Sequence, residues 1–205
     1  TNQYFLFMKK LLSLFLLLSC LLGPVSAEDG SRLWLRQSTD AHTQITAPRQ
    51  SPTLNIAVRE LKQAWKGLPV TLVLKKDKQL SSEGFRIRQV NGKLTVTSPS
   101  ETGLLYAAYH LIRLQEMQNF GKPADQEATG KPSETDQEIT ENPAYDLRIL
   151  NHWDNLDRSI ERGYAGKSLW NWEELPGTLS DRYEAYARAN ASIGINATVL
   201  NNVNA

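Results

Sequence analysis

Two apolar segments, 145–150 and 195–200, flank one amphipathic helix, and this βαβ arrangement constrains the chain more than any other feature. Parallel strands joined by a crossover helix are normally buried on both faces. A single pair cannot bury both of its own, so more strands are expected beyond residue 205 and the sequence reads as the front part of a longer polypeptide. Ser180 is placed to cap the intervening helix, with Asp181 complementing its dipole in the first turn. Tyr183, Tyr186, Ala187, Asn190 and Ala191 are expected on its buried face, and Gly194 ends it. Both strands run into polar residues: Asn151, His152, Trp153, Asp154 and Asn155 after the first, Asn201, Asn202 and Asn204 after the second.

Upstream, the pattern predicts a small layered α/β unit. Residues 32–36 alternate like a short strand. Ser51 and Pro52 open a helix whose stripe is Leu54, Val58, Leu61, Trp65 and Leu68, stopped by Pro69. A buried strand is expected at 70–74 and a hairpin at 85–97, where Asn91 and Gly92 suit a type I′ turn. Residues 98–101 cap a second helix with Leu104, Leu105, Ala108, Leu111, Ile112 and Gln115 on its stripe. Residues 121–142 carry Lys, Glu, Asp, Pro, Thr and Gly with little to bury, and read as a mobile loop or linker.

The N-terminus reads as an export signal. Residues 1–7 look like translated upstream sequence and Met8 like the start. Lys9 and Lys10 precede an apolar stretch at 11–22, and Val25, Ser26 and Ala27 form a small-residue cleavage site. That stretch is short of the roughly 20 residues that span a bilayer. Cys20 is the only cysteine; its surroundings faintly resemble a lipoprotein processing site, although Leu18 is bulky for one. Cleavage after Ala27 leaves a chain with neither disulfides nor thiol chemistry and takes the formal charge from +1 to −1. Neither value suits a nucleic-acid partner, which demands a clear basic excess.

Where strands of a (β/α) barrel end, functional groups gather. Asn and Asp side chains pair with sugar hydroxyls, and an indole offers a flat face to the C–H side of a pyranose. Asn151, Trp153, Asp154 and Asn202 are therefore candidate sugar contacts; helix capping and loop tying are what the same residues do when no ligand is involved. His42, His110 and His152 lack ligand spacing, so no metal is expected, and no glycine-rich phosphate loop is present.

The stretches LRILNHWDNLDRSIERGYAGKSLW (147–170) and YARANASIGINATVLNNVNA (186–205) resemble the barrel opening of family 67 glycoside hydrolases, the α-glucuronidases. EDG at 28–30 with LWLR at 33–36 resembles the start of their mature chains. The resemblance is weak at 41–78 and absent at 121–142. It implies an α/β fold: a small N-terminal α/β sandwich like the hexosaminidase N-domain at 28–120, a linker at 121–142, and the first βαβ unit of a truncated (β/α)8 TIM barrel at 143–205.

It also implies hydrolysis, with inversion, of (4-O-methyl-)glucuronic acid α-1,2-linked to xylo-oligosaccharides during xylan degradation, without metal or cofactor. The catalytic acid and base are expected beyond Ala205. Trp153 is expected to wall the sugar pocket, while Arg162 and Lys167 are candidate partners for the uronate carboxylate. Glu161 is expected to pair with a nearby arginine, and Glu173 and Glu174 to face solvent. The implied enzyme is periplasmic or extracellular and meets the membrane only through its signal peptide or lipidation; a homodimer stays open. Two alternatives stand beside it: an exo-acting hexosaminidase-like glycosidase, which the helix at 103–115 also resembles, and a non-catalytic carbohydrate-binding or interface module.

Overall fold

A computed structural model describes residues 40, 42–117, 137–175 and 177–200. The expected signal segment, the strand at 32–36, most of the linker and Asn202 lie outside them.

Helix α1 (Pro52–Ala64) begins where Ser51 accepts from the Leu54 N–H at 3.2 Å. Leu54, Leu61, Trp65 and Leu68 are buried and Val58 packs partly against them. The helix stops earlier than Pro69 suggests. Trp65 turns to extended backbone (ψ 124°) and its indole N–H donates to the Leu68 carbonyl at 2.8 Å, curling the segment under the core. Helix α2 (Glu101–Met117) starts where Ser100 Oγ accepts from the Gly103 N–H at 3.1 Å. Its Glu101 reaches back to accept from Ser51 at 2.6 Å, so the two helix starts brace each other. Gln115 caps the far end of α1, donating to Ala64 O at 2.9 Å and accepting from Lys66 N at 2.6 Å.

Strands β1 (Ile45–Thr46), β2 (Val70–Leu74), β3 (Phe85–Val90), β4 (Lys93–Ser98) and β5 (Gln137–Glu141) form one mixed sheet in the order β1-β2-β4-β3-β5. The β3–β4 turn is as expected: Asn91 and Gly92 both take positive φ, 49° and 67°, which a type I′ turn requires. Gly103 allows close approach, since a Cβ there would sit 2.1 Å from Ser98 Oγ and 2.9 Å from the Gly84 carbonyl.

Strand β5 corrects the linker expectation at its end. It pairs antiparallel with β3, Ile139 opposite Ile87. One apolar residue suffices at a sheet edge: Ile139 packs on the core while Glu138 pairs with Arg86 at 3.2 Å and Arg88 at 2.5 Å. Composition weighed over the whole of 121–142 hid this single edge contact.

Strands β6 (Ile149–Asn151) and β7 (Ala197–Val199) pair in parallel, Leu150 opposite Thr198, with helix α3 (Asp181–Ser192) between them. Both strands are shorter than the apolar segments suggested. Residues 145–148 instead fold around Arg148, which donates to the Tyr145 carbonyl at 2.7 Å and the Gly194 carbonyl at 2.5 Å. Helix α3 buries Tyr183, Ala189, Asn190 and Ser192, and Ala187 is exposed, against expectation. The helix is gripped from two sides, so one stripe cannot describe it. Tyr183 faces the loop after β6, where its hydroxyl accepts from the Asn171 N–H at 2.9 Å, whereas Ala191 packs on the core and the Ser192 carbonyl meets Arg113 of α2.

Among the described residues four arginines join this βαβ unit to the five-stranded part, one of them the exposed Arg59, which meets Glu184 of α3 at 3.2 Å. Arg113 donates to the Ser192 carbonyl, Arg148 pairs with Glu83, and Arg188 pairs with Glu60 at 2.7 Å. The Arg113 contact places positive charge at the carbonyl end of α3, where the helix dipole favours it.

His110 lies beside this joint. Its ring is 5.4 Å from Phe85, Arg113 stands 3.3 Å from its Nδ1, and Glu141 acts on it from β5. Burial first, then the Arg113 charge, hold its pKa below 6.5, with Glu141 opposing. The unfolded chain therefore takes up this proton at higher pH than the folded one, so stability is full above about pH 6.5 and falls as pH drops below it. Urea midpoints measured from pH 7.5 to pH 5 are expected to decline, and His110→Gln is expected to flatten that limb; parallel curves would discount His110.

Candidate functional site

The carboxyl end of β6 carries the sequence-predicted residues. Beyond Asn151, the His152 N–H continues the parallel pairing by donating to Val199 O at 3.0 Å. Trp153 follows with its side chain 52% exposed, and its carbonyl accepts from the Glu161 N–H at 2.6 Å. Asp154 then turns inward and is 2% exposed. Extended backbone points successive side chains to opposite sides, which explains why His152 and Asp154 go in and Trp153 goes out.

The loop from Asp154 to Ser168 is tied tightly to itself. Asn155 Nδ2 donates to Ser159 Oγ at 2.9 Å and to Glu161 O at 2.6 Å. Asp157 accepts from the Ser159 hydroxyl at 2.6 Å and its N–H at 2.9 Å, and these two contacts hold its pKa below the usual carboxylate range. Ser159 bridges to Lys167, and the Ser168 N–H donates to Arg158 O at 2.8 Å.

Behind the loop lies an aromatic cluster. Trp170 stacks on Tyr183, with rings 5.4 Å apart and 2° from parallel, and presents its edge to Tyr186 at 5.2 Å and His152 at 5.6 Å. Arg182 lies over the Tyr183 ring at 4.7 Å and pairs with Glu174.

Of the expected sugar contacts, Asn151, Trp153, Arg162 and Lys167 are exposed around this strand end. Arg162 directly follows the residue whose N–H bonds the Trp153 carbonyl. Asp154 is corrected. It is buried and engaged by the Ser168 hydroxyl, so it cannot offer itself to a ligand at the surface. Asn202 lies outside the described residues. Glu161 accepts from the Tyr164 hydroxyl, which raises the tyrosine's pKa, and among the described residues no arginine pairs with it. Glu174 is partly exposed but tied down: Asn171 donates to it at 2.8 Å and its pKa is held low chiefly by that contact.

Sequence pattern does not mark His152, Ser168, Trp170 and Tyr186 as a connected group. Tyr183 and Tyr186 at i, i+3 were visible on one helix face, but nothing in sequence paired that face with His152, 34 residues away. A cleft of about 510 Å3 opens between α2 and the βαβ unit, lined by Tyr106, Trp170, Tyr183, Tyr186, Asn190 and Thr198 among others; none of the predicted sugar contacts among the described residues lines it. Among the described residues no three His, Cys, Asp or Glu side chains come together as a metal site would require.

Comparison with known proteins sets this chain among the glycoside hydrolases. Residues 128–205 match the glycosyl hydrolase family 67 middle domain. The chain is 32% identical to alpha-glucuronidase A of Aspergillus tubingensis, over 93% of its own length and 25% of that protein's. To alpha-glucuronidase A of Emericella nidulans it is 29% identical over 93% of its length and 26% of that protein's. Residues 128–205 therefore carry the middle-domain pattern of glycoside hydrolase family 67, and the relatives matched over the rest of the chain support a fragment of such a protein. It spans about a quarter of the length of the curated relatives it matches. A solved GH138 enzyme targeting pectin rhamnogalacturonan II aligns with 76% of this chain and 18% of its own, at TM-score 0.48 and 18% identity, too loosely to carry an argument.

Proposed function

We propose that this sequence belongs to an exported α-glucuronidase that releases (4-O-methyl-)glucuronic acid α-1,2-linked to xylo-oligosaccharides. The observation that carries the reading is the exposed Trp153 indole at the carboxyl end of a parallel strand, in a chain whose relatives are α-glucuronidases. In a (β/α)8 barrel that end is where substrate is held. Strand β6 also leaves Ile149 and Leu150 exposed, as expected of a stave awaiting neighbours.

In this proposal Trp153 supplies the apolar shelf for a pyranose ring, Asn151 pairs with its hydroxyls, and Arg162 and Lys167 are the local cations for a uronate. The general acid and general base are assigned to sequence that the longer relatives have and this chain does not span. Inversion then proceeds with one carboxyl protonating the leaving oxygen and the other activating water from the opposite face. Residues 8–27 support export to the periplasm or exterior.

Two measurements test this. The 205-residue chain is expected to release no uronic acid from aldouronic oligosaccharides, while a polypeptide of the relatives' length does; turnover by the short chain would refute the placement of the acid and base. In the longer polypeptide Trp153→Ala is expected to lower kcat/KM about 2- to 10-fold, the worth of an aromatic contact with the ring. Unchanged kinetics would return Trp153 to a packing role.

A further inference from the structure

We infer that His152 and Tyr186, backed by Asp154 and Ser168, are positioning residues that fix the Trp153 backbone, and so the direction in which its indole leaves the strand end, before any ligand arrives. That a sugar then uses the indole rests on the function proposed above; the lock itself does not.

The geometry is continuous. His152 Nε2 lies 2.5 Å from the Tyr186 hydroxyl, and that hydroxyl lies 3.4 Å from Thr198 Oγ1 on β7. On its other side the same imidazole stands with Nδ1 3.8 Å from Asp154 Oδ1. The second oxygen of Asp154 accepts from the Ser168 hydroxyl, and Ser168 Oγ in turn accepts from the Trp170 N–H at 2.9 Å. Trp170 closes the circuit by placing its edge against both His152 and Tyr186. One network therefore ties the end of β6, the loop, helix α3 and β7 together.

Trp153 is the residue between the two locked ones. With His152 and Asp154 both held and its own carbonyl bonded to Glu161, its backbone has little freedom although its side chain faces solvent. An exposed aromatic residue whose backbone is already fixed spares a ligand part of the entropy of ordering it. A polar network seated beneath a solvent-facing indole thus has a use beyond packing. The inward residues set the aim of the outward one.

The test uses the 205-residue chain with 15N-labelled tryptophan, the Trp153 indole resonance being identified by its loss in Trp153→Phe. Tyr186→Phe removes one hydroxyl and leaves the ring. It is expected to shift and broaden the Trp153 resonance while leaving the thermal midpoint near that of the wild type. Where glucuronosyl xylobiose binds, its Kd is expected to rise about 3- to 10-fold, the worth of one hydrogen bond. His152→Gln, whose amide can still meet the Tyr186 hydroxyl, is expected to restore both readouts relative to His152→Phe.

An unmoved Trp153 resonance in both Tyr186→Phe and His152→Phe would overturn the lock, whether or not the sugar binds. A lost or shifted Trp153 resonance supports the lock, and an unchanged glucuronosyl xylobiose Kd for Trp153→Ala in a polypeptide of the relatives' length would count against the sugar role alone.

Discussion

Arg188→Ala is expected to destabilise the folded chain by about 3 kcal/mol, because it strands a buried carboxylate. Glu60 on α1 is 2% exposed. It receives Arg188 Nε at 3.0 Å on each oxygen and Nη2 at 2.7 Å on one, across 128 residues of sequence. The guanidinium also lies 5.6 Å over the buried Tyr109 ring. Deleting it forfeits both contacts and leaves a buried carboxylate without its cation. A double variant, Glu60→Leu with Arg188→Met, is expected to return to within about 1 kcal/mol of the wild type, since apolar groups of similar size carry no desolvation cost. Urea unfolding measures both. A single variant no less stable than the wild type would show that the pair does not hold the βαβ unit to the five-stranded part.

Trp170→Ala follows with an expected loss of about 3 kcal/mol, the usual scale for removing a buried aromatic ring. Few other large side chains of the βαβ unit are buried, and Trp170 touches three of its neighbours' rings at once. Its indole N–H is buried without a partner, so Trp170→Phe, which keeps a ring against Tyr183 and discards that donor, is expected to cost about 1 kcal/mol. Near-UV circular dichroism with urea unfolding separates the two. Equal losses would mean that the indole itself, rather than an aromatic face, is what the site requires.

Local pattern was enough for the first part of the fold. The Asn91-Gly92 turn, the 70–74 strand and the two capped helices follow from backbone conformation and from apolar spacing, both of which act over a few residues. Strand β5 escaped because an edge strand has one partner and one buried residue, Ile139, too little to stand out from a polar stretch. The candidate site divides the same way. Residue type alone marked Trp153 as a candidate and the structure leaves it exposed, but type could not tell it from Asp154, which looks equally suited to sugar and is sealed inside.

What the sequence determined by itself is the alternation of elements, the parallel crossover and the family resemblance, since each is written in short-range spacing or in long matching stretches. Which side of β6 each side chain takes, and which arginine meets which acid, only the tertiary structure decided. Those choices depend on groups brought together from 34 to 128 residues apart, and burial gives a polar side chain its role only once its partner is in reach.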